Sequence, residues 1–215
     1  MDFEDIYKIC KPFTMTSRKK MERLYEAVIY INEKNIAGSF VECGVFKGGS
    51  VMNMALTQLK YPKLVHIYLY DTFEGMTPEG EFDITHQDIP ASKILKNKSK
   101  LCIADLDQVK QNLKLTSYPQ EFFHFHKGDV ALTLKEQVPQ KIALLRLDTD
   151  WYESTKLELE VLYSKLVKGG ILILDDYGYW KGARKAADDF FSSLEIDPEF
   201  QKLESGISGV IHIKR

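Results

Sequence analysis

Two short acidic clusters each follow an apolar run: Asp148 and Asp150 in LLRLDTDWYEST, and Asp175 and Asp176 in GGILILDDYG. Runs of this kind form buried parallel strands, and in an open α/β sheet the carboxyl ends of neighbouring strands face one crevice where ligands bind. Three or four carboxylates meeting at one point repel one another strongly unless a cation neutralises them. An all-oxygen set without His or Cys suits Mg²⁺ or Ca²⁺ rather than zinc. Asp also caps the helix that follows a strand. The adjacent Asp175 and Asp176 need only one residue for a cap, so capping alone does not account for both clusters.

A second chemical signal is ECGVFKGGS, Glu42 to Ser50. Glycines there let the backbone approach a ligand, and the following helix offers free N–H groups. Gly44, Gly48 and Gly49 lack the GxGxxG spacing, which disfavours a nicotinamide cofactor. Asp71, at the end of the next strand, is placed to accept hydrogen bonds from two ribose hydroxyls, or to serve as a turn residue. Gly128 and Asp129 follow a third strand and either hold an adenine amino group or form a turn. His66 and His124 fall within strands and His212 within the terminal hairpin; His86 and His126 are the histidines with access to the crevice. No GxSxG elbow or Cys–His pair points to nucleophilic catalysis. Tyr177, Tyr179 and Trp180 either pack into the core or wall a substrate.

The elements that must position these residues follow from periodicity and turn chemistry. An apolar stripe at Met21, Leu24, Tyr25, Val28 and Ile29 predicts a helix from Ser17 to Glu33, capped by Thr16 or Ser17. Strands are expected at Ser39–Cys43, Leu64–Tyr70, Glu121–His126, Ile142–Leu147 and Ile171–Leu174. Helices are expected from GVFKGGS to Leu59, at Ile103–Leu113, at Ser154–Leu166 and at Gly182–Leu194. The end, EFQKLESGISGVIHIKR, alternates around a Gly/Ser turn and reads as a β-hairpin. Strand–helix alternation closed by an antiparallel hairpin implies an α/β fold with a doubly wound, mostly parallel sheet. Residues 72–100 are polar and aperiodic, with Gly75, Pro78, Gly80 and Pro90, as expected of a functional lid.

Composition narrows the function classes. A chain of 215 residues reads as one domain, 1–215, long enough for a sizeable core, with a helical cap over about residues 1–36. Lys+Arg 29 against Asp+Glu 31 gives no sign of a nucleic-acid partner. Cys10, Cys43 and Cys102 are odd in number and widely spaced, unlike a disulfide framework or a zinc site. The start, MDFEDIYKICK, lacks signal-peptide character and no segment reaches bilayer-spanning length, so a cytoplasmic location without membrane contact is expected.

Taken together, these residues resemble the macrocin O-methyltransferase family, S-adenosylmethionine-dependent enzymes that methylate sugar hydroxyls. The resemblance runs through FTMTS (Phe13–Ser17), FVECGVFKGGS (Phe40–Ser50), LYDTFEGM (Leu69–Met76) and HKGDV (His126–Val130). It continues through IALLRLDTDWYEST (Ile142–Thr155) and KGGILILDDYGYWKGARKAADDF (Lys168–Phe190). It implies a seven-stranded, Rossmann-like class I methyltransferase sheet. It also implies that Glu42, Gly44 and Ser50 line the methionine end of the cofactor. By the same resemblance Asp71 holds the ribose beside Thr72 and Phe73, Asp129 and Val130 meet the adenine, and Thr14 and Met15 close over it. The divalent metal, Mg²⁺ or similar, falls to Asp148, Asp175 and Asp176.

Phe46 and Lys47 replace the family's common Trp-Arg, and the lid matches poorly, which leaves the acceptor open. The expected substrate is a small sugar or glycoside in a natural product, nucleotide sugar or polysaccharide precursor; a homo-oligomer is compatible with the sequence. In this scheme Asp148 is the first choice of general base and Asp150 the second, because alternation along an extended strand puts both on one side. The rival reading is a catechol-type O-methyltransferase acting on an aromatic diol.

Overall fold

The computed structural model describes residues 1–95 and 102–215; residues 96–101, the end of the expected lid, lie outside the described residues. Alternation along the central strands decides the layering. In β1 (Ser39–Cys43) and β4 (Ile142–Leu147), Phe40 and Leu144 enter one core while Val41 and Leu145 enter the other. In β5 (Leu166–Leu174), Ile171 and Ile173 join the first core, and Leu172 and Leu174 the second. A sheet apolar on both faces needs helices on both. α1 (Phe3–Cys10), α2 (Arg18–Glu33), α3 (Gly49–Gln58) and α5 (Leu106–Lys114) supply the first cover. α6 (Val130–Thr133), α7 (Tyr152–Leu162) and α8 (Lys181–Ser193) supply the second.

The remaining strands are β2 (Ile67–Asp71), β3 (Phe123–Lys127), β6 (Gln201–Lys202) and β7 (Val210–Ile213). The sheet order is β3-β2-β1-β4-β5-β7-β6. The first five strands run parallel, and β7 lies antiparallel to both β5 and β6. This is the mostly parallel seven-stranded sheet with a terminal hairpin that the sequence predicts. The order reverses direction between β1 and β4, and a crevice opens at such a switch point.

Several boundaries differ from expectation for identifiable reasons. β2 starts at Ile67 rather than Leu64, because the Tyr118 hydroxyl accepts from Val65 N (2.9 Å) and donates to Val65 O (2.8 Å). α5 starts at Leu106 rather than Ile103, where Asp105 Oδ1 accepts from Gln108 N at 2.8 Å as an N-cap. α7 starts at Tyr152 rather than Ser154, because Asp83, far away in sequence, accepts the Tyr152 N–H at 2.8 Å. It ends at Leu162, where a 3₁₀ turn (Tyr163–Lys165) leads into a β5 longer than expected. The expected lid is not featureless. It carries α4 (Ala91–Leu95), bridges Ile84 to Pro90 and Thr85 to Trp180, and buries Asp83, Thr85 and Ala91.

The approach of β1 to β4 is closest at Gly44, which has φ +83°; a Cβ there would lie 2.0 Å from the carbonyl oxygen of Asp148. Gly44→Ala combines left-handed strain with a backbone clash. We expect a loss of about 2–4 kcal/mol, read as a lower urea midpoint at unchanged slope. An unchanged midpoint would contradict this close apposition.

Candidate active site

A cavity of about 390 Å³ lies over the carboxyl ends of β1, β2, β4 and β5. Gly44, Asp71, Thr72, Asp129, Val130, Asp148, Asp150, Asp175 and Asp176 line it, as does Met15 from the loop before α2. The strand ladder sets these ends side by side: Gly44 N donates to Tyr70 O (2.9 Å), Asp148 N to Cys43 O (2.9 Å) and Asp175 N to Leu147 O (3.0 Å).

The floor is organised by Arg146, whose side chain is only 2 % exposed. It stands in register with Glu42 on β1 and forms an ion pair with it. Arg146 also contacts Asp148 Oδ2 and Asp175 Oδ1, each at 2.8 Å. Lys20 from α2 donates to Asp175 Oδ2 at 2.8 Å and to the Asp175 carbonyl at 3.0 Å. Burial alone would push Asp175 up, but Arg146 and Lys20 outweigh it and hold this carboxyl below its ordinary range. Burial pushes Asp148 and Asp176 well above that range, and the neighbouring carboxylates add to the effect. Glu42, wholly buried, is pushed up to about 8 by burial in spite of Arg146.

Asp150 reaches the cavity differently from the expected strand alternation. β4 ends at Leu147, and Asp150 sits in a turn with φ +69°, a conformation that costs a non-glycine residue about 1 kcal/mol or more. Its Oδ1 accepts from the Trp180 indole at 2.6 Å, and its carboxyl lies close to that of Asp176. Burial, and then the charge of Asp148, raise Asp150 to about 7.

The donor set suits a hard divalent cation. Asp148, Asp175 and Asp176 each offer a carboxylate oxygen within 4.8 Å of the others, and Asp176 Oδ2 is buried without a hydrogen-bond partner. An oxygen-only trio with one orphaned acceptor in a crowd of carboxylates is chemically matched to Mg²⁺.

The sequence matches the family described as Macrocin-O-methyltransferase (TylF) over residues 8–210. The chain belongs to this family. It is similar to a demethyldecarbamoylnovobiocin O-methyltransferase of Streptomyces niveus, 28% identical over 187 residues, covering 86% of this chain and 70% of that one. It is also similar to the 8-demethyl-8-(2,3-dimethoxy-alpha-L-rhamnosyl)-tetracenomycin-C 4'-O-methyltransferase of Streptomyces olivaceus, 31% identical over 192 residues, with coverage of 89% and 72%. Among solved structures it resembles the O-methyltransferase NovP, with TM-score 0.81 and 25% identity over 94% of this chain and 82% of that one. As a macrocin O-methyltransferase relative with the class I sheet, the protein is an S-adenosylmethionine-dependent O-methyltransferase. Among the described residues, no helix is long and apolar enough to cross a membrane.

Not every residue expected at the cofactor lines the cavity. Glu42 lies beneath it against Arg146, and Ser50 is buried with its hydroxyl 3.8 Å from Met21 Sδ. Phe73 is 2 % exposed and packs in the core; only its N–H reaches toward the site, donating to Asp71 Oδ1 at 2.7 Å. Thr14 shapes the neighbouring loop instead, its hydroxyl accepting from Thr16 N at 3.0 Å. Asp129 caps α6 through Ala131 N (2.8 Å) while facing the cavity. His86 packs at a tilt against Tyr179, and His126 stacks between Tyr68 and Tyr70; neither lines the cavity.

Residues missed from sequence include Arg146 beneath the cavity and, in its lining, Lys20, Phe46, Tyr70, Thr149 and Glu204. Of these only Arg146, a charge inside an apolar strand run, carried a readable signal.

Asp71 is also a clamp on the glycine turn: Oδ2 accepts from Val45 N (2.6 Å) and Phe46 N (3.0 Å). Asp71→Ala should therefore weaken S-adenosylmethionine binding by roughly 1–3 kcal/mol through loss of these charge-assisted bonds. Calorimetric titration checks this, and an unchanged affinity would take Asp71 out of the cofactor site.

Proposed function

We propose that the protein methylates a sugar hydroxyl of a natural product, nucleotide sugar or polysaccharide precursor, with Asp148, Asp175 and Asp176 as ligands of one Mg²⁺. The observation that carries this reading is the convergence of four carboxylates, Asp148, Asp150, Asp175 and Asp176, on one cavity at the switch point of a methyltransferase sheet. The relatives' names support the sugar: one is a methyltransferase of a rhamnosyl tetracenomycin, and a solved neighbour is described as a TDP-rhamnose 3'-O-methyltransferase. On this reading the chain from 1 to 215 acts as one methyltransferase unit, capped by the segment before β1 and closed by a lid whose described part is residues 72–95.

The chemistry asks for a base. The sugar oxygen forms a bond to the methyl carbon, the carbon–sulfur bond breaks, and the hydroxyl proton goes to a carboxylate. Bound Mg²⁺ would lower the pKa of the hydroxyl and fix its oxygen. Asp150 is the better proton acceptor of the two candidates, because Asp148 is paired with Arg146 and would be a ligand of the metal, whereas Asp150 Oδ2 takes no bond from Trp180. Asp71, Thr72, Asp129 and Val130 fit the cofactor's ribose and adenine, Gly44 its amino-acid end, and Met15 its cover. With substrate and cofactor in place, the partly buried crevice would hold less water than open solvent, which would strengthen the charge contacts of these carboxylates.

A catechol acceptor is the weaker reading. Of the rings that would wall an aromatic diol, Trp151 and Trp180 are buried, with their indole N–H groups bonded to Thr77 O (2.9 Å) and Asp150 Oδ1 (2.6 Å), and the exposed Tyr179 is not part of the cavity lining.

Incubation with methyl-labelled S-adenosylmethionine and a panel of nucleotide sugars, rhamnosides and catechols should give label on a sugar and none in EDTA. Asp148→Asn and Asp176→Asn should abolish Mg²⁺ binding by calorimetry. Asp150→Asn should lower turnover by about 10²–10⁴ with metal and cofactor affinity retained. Full transfer in EDTA, or labelling of catechols alone, would overturn the proposal.

A further inference from the structure

We infer that Trp180 is a positioning residue for Asp150 and that the lid sets Asp150 through it; this rests on the reading of Asp150 as proton acceptor. A carboxyl on a strained turn keeps one orientation only if its surroundings over-determine it. At Asp150 a fixing contact is the Trp180 indole N–H on Oδ1 at 2.6 Å, beside the Asp176 carboxyl; Oδ2 is not engaged by Trp180.

Trp180 is itself held from two sides. Its backbone N–H donates to Asp176 O at 3.0 Å, and its strand-like segment bridges Thr85 in the lid, with Lys181 N on Ile84 O (2.8 Å) and His86 N on Tyr179 O (2.8 Å). Its ring meets Trp151 edge-on at 5.1 Å, within a small core that includes Ala91, Met76, Ile94 and Leu95 of the lid. Trp151 directly follows Asp150 in the chain and donates its own indole N–H to Thr77 O of the lid. The two indoles thus tie the turn at Asp150 to the lid by separate bonds.

The lid's anchor lies on the far side of this core. Asp83 takes Tyr152 N with Oδ1 (2.8 Å) and Gly80 N with Oδ2 (2.7 Å), and it fits only because residue 182 is glycine: a Cβ there would stand 2.1 Å from Asp83 Oδ1. Gly182→Ala therefore disturbs the Asp83 anchor, its Cβ also lying 3.2 Å from Phe82 O and Tyr152 N, while the side chains of Asp150, Trp180 and the acidic ligands stay unsubstituted. With the lid displaced, Trp180 loses its support and Asp150 its orientation, so proton transfer is confined to the closed, water-poor state.

Trp151 and Trp180 are the only tryptophans in the sequence, so the indole ¹⁵N–¹H spectrum of the whole protein reports this unit alone. Trp180→Phe assigns the two signals. The Trp180 signal should lie far downfield and move upfield in Asp150→Ala; in Gly182→Ala both signals should move, with S-adenosylmethionine affinity within about threefold of wild type. With the acceptor found by the sugar panel, Trp180→Phe should lower turnover by roughly 10- to 100-fold with little change in acceptor KM, and should add nothing in an Asp150→Asn background. A Trp180 signal indifferent to Asp150→Ala or to Gly182→Ala overturns the inference. So does an equal rate loss from Trp180→Phe in both backgrounds, which would leave Asp150 as the base. Wild-type turnover by Asp150→Asn instead removes the base assignment itself, whatever the indole signals do.

Discussion

Arg146 carries a full positive charge near the carboxyl end of a buried strand, where an unpaired guanidinium would cost several kcal/mol. Its contacts to Glu42, Asp148 and Asp175 offset that cost and gather three carboxylates that would otherwise repel one another. Because Glu42 is its registered neighbour on β1, the ion pair also fixes how far β1 and β4 extend relative to each other. The position of Asp148 and Asp175 over the cavity is in this sense set from below. Lys20 then completes the arrangement from above, drawing α2 onto the end of β5.

Much of this frame was legible in the sequence because local chemistry and tertiary role agree. The runs IALLRL and GGILIL are apolar on both faces and could only be interior strands, so the acids after them had to meet at one edge. Gly44 is readable as a point of close approach, and the alternation around SGISG as a hairpin. The cavity-facing positions of Asp71, Asp129, Asp148, Asp175 and Asp176 follow from strand order once the sheet is known, whereas Asp150 gets there by a left-handed turn that strand alternation does not foretell.

What escaped the sequence depends on residues far apart in the chain. Asp83 caps α7 across 69 positions, and the Tyr118 hydroxyl takes the place of a ladder partner at Val65 across 53. Neither has a local signature. Lys20 looks like one more charge on the polar side of an amphipathic helix. Glu42 and Phe73 occupy motif positions beside the glycine turn, yet alternation along the strand and the turn after β2 send their side chains into the interior.

The cavity is made of two kinds of backbone. Its floor is strand ends locked by ladder bonds and by a buried ion network, where almost any change would be felt across the sheet. Its mouth is made of loop residues such as Met15, 65% exposed, together with Thr77 and Glu204. Substitutions there displace no packed interior and draw little on a folding free energy of only about 5–15 kcal/mol. Descendants of such a scaffold can therefore drift toward new acceptors by rewriting the rim, while the reaction centre is inherited intact.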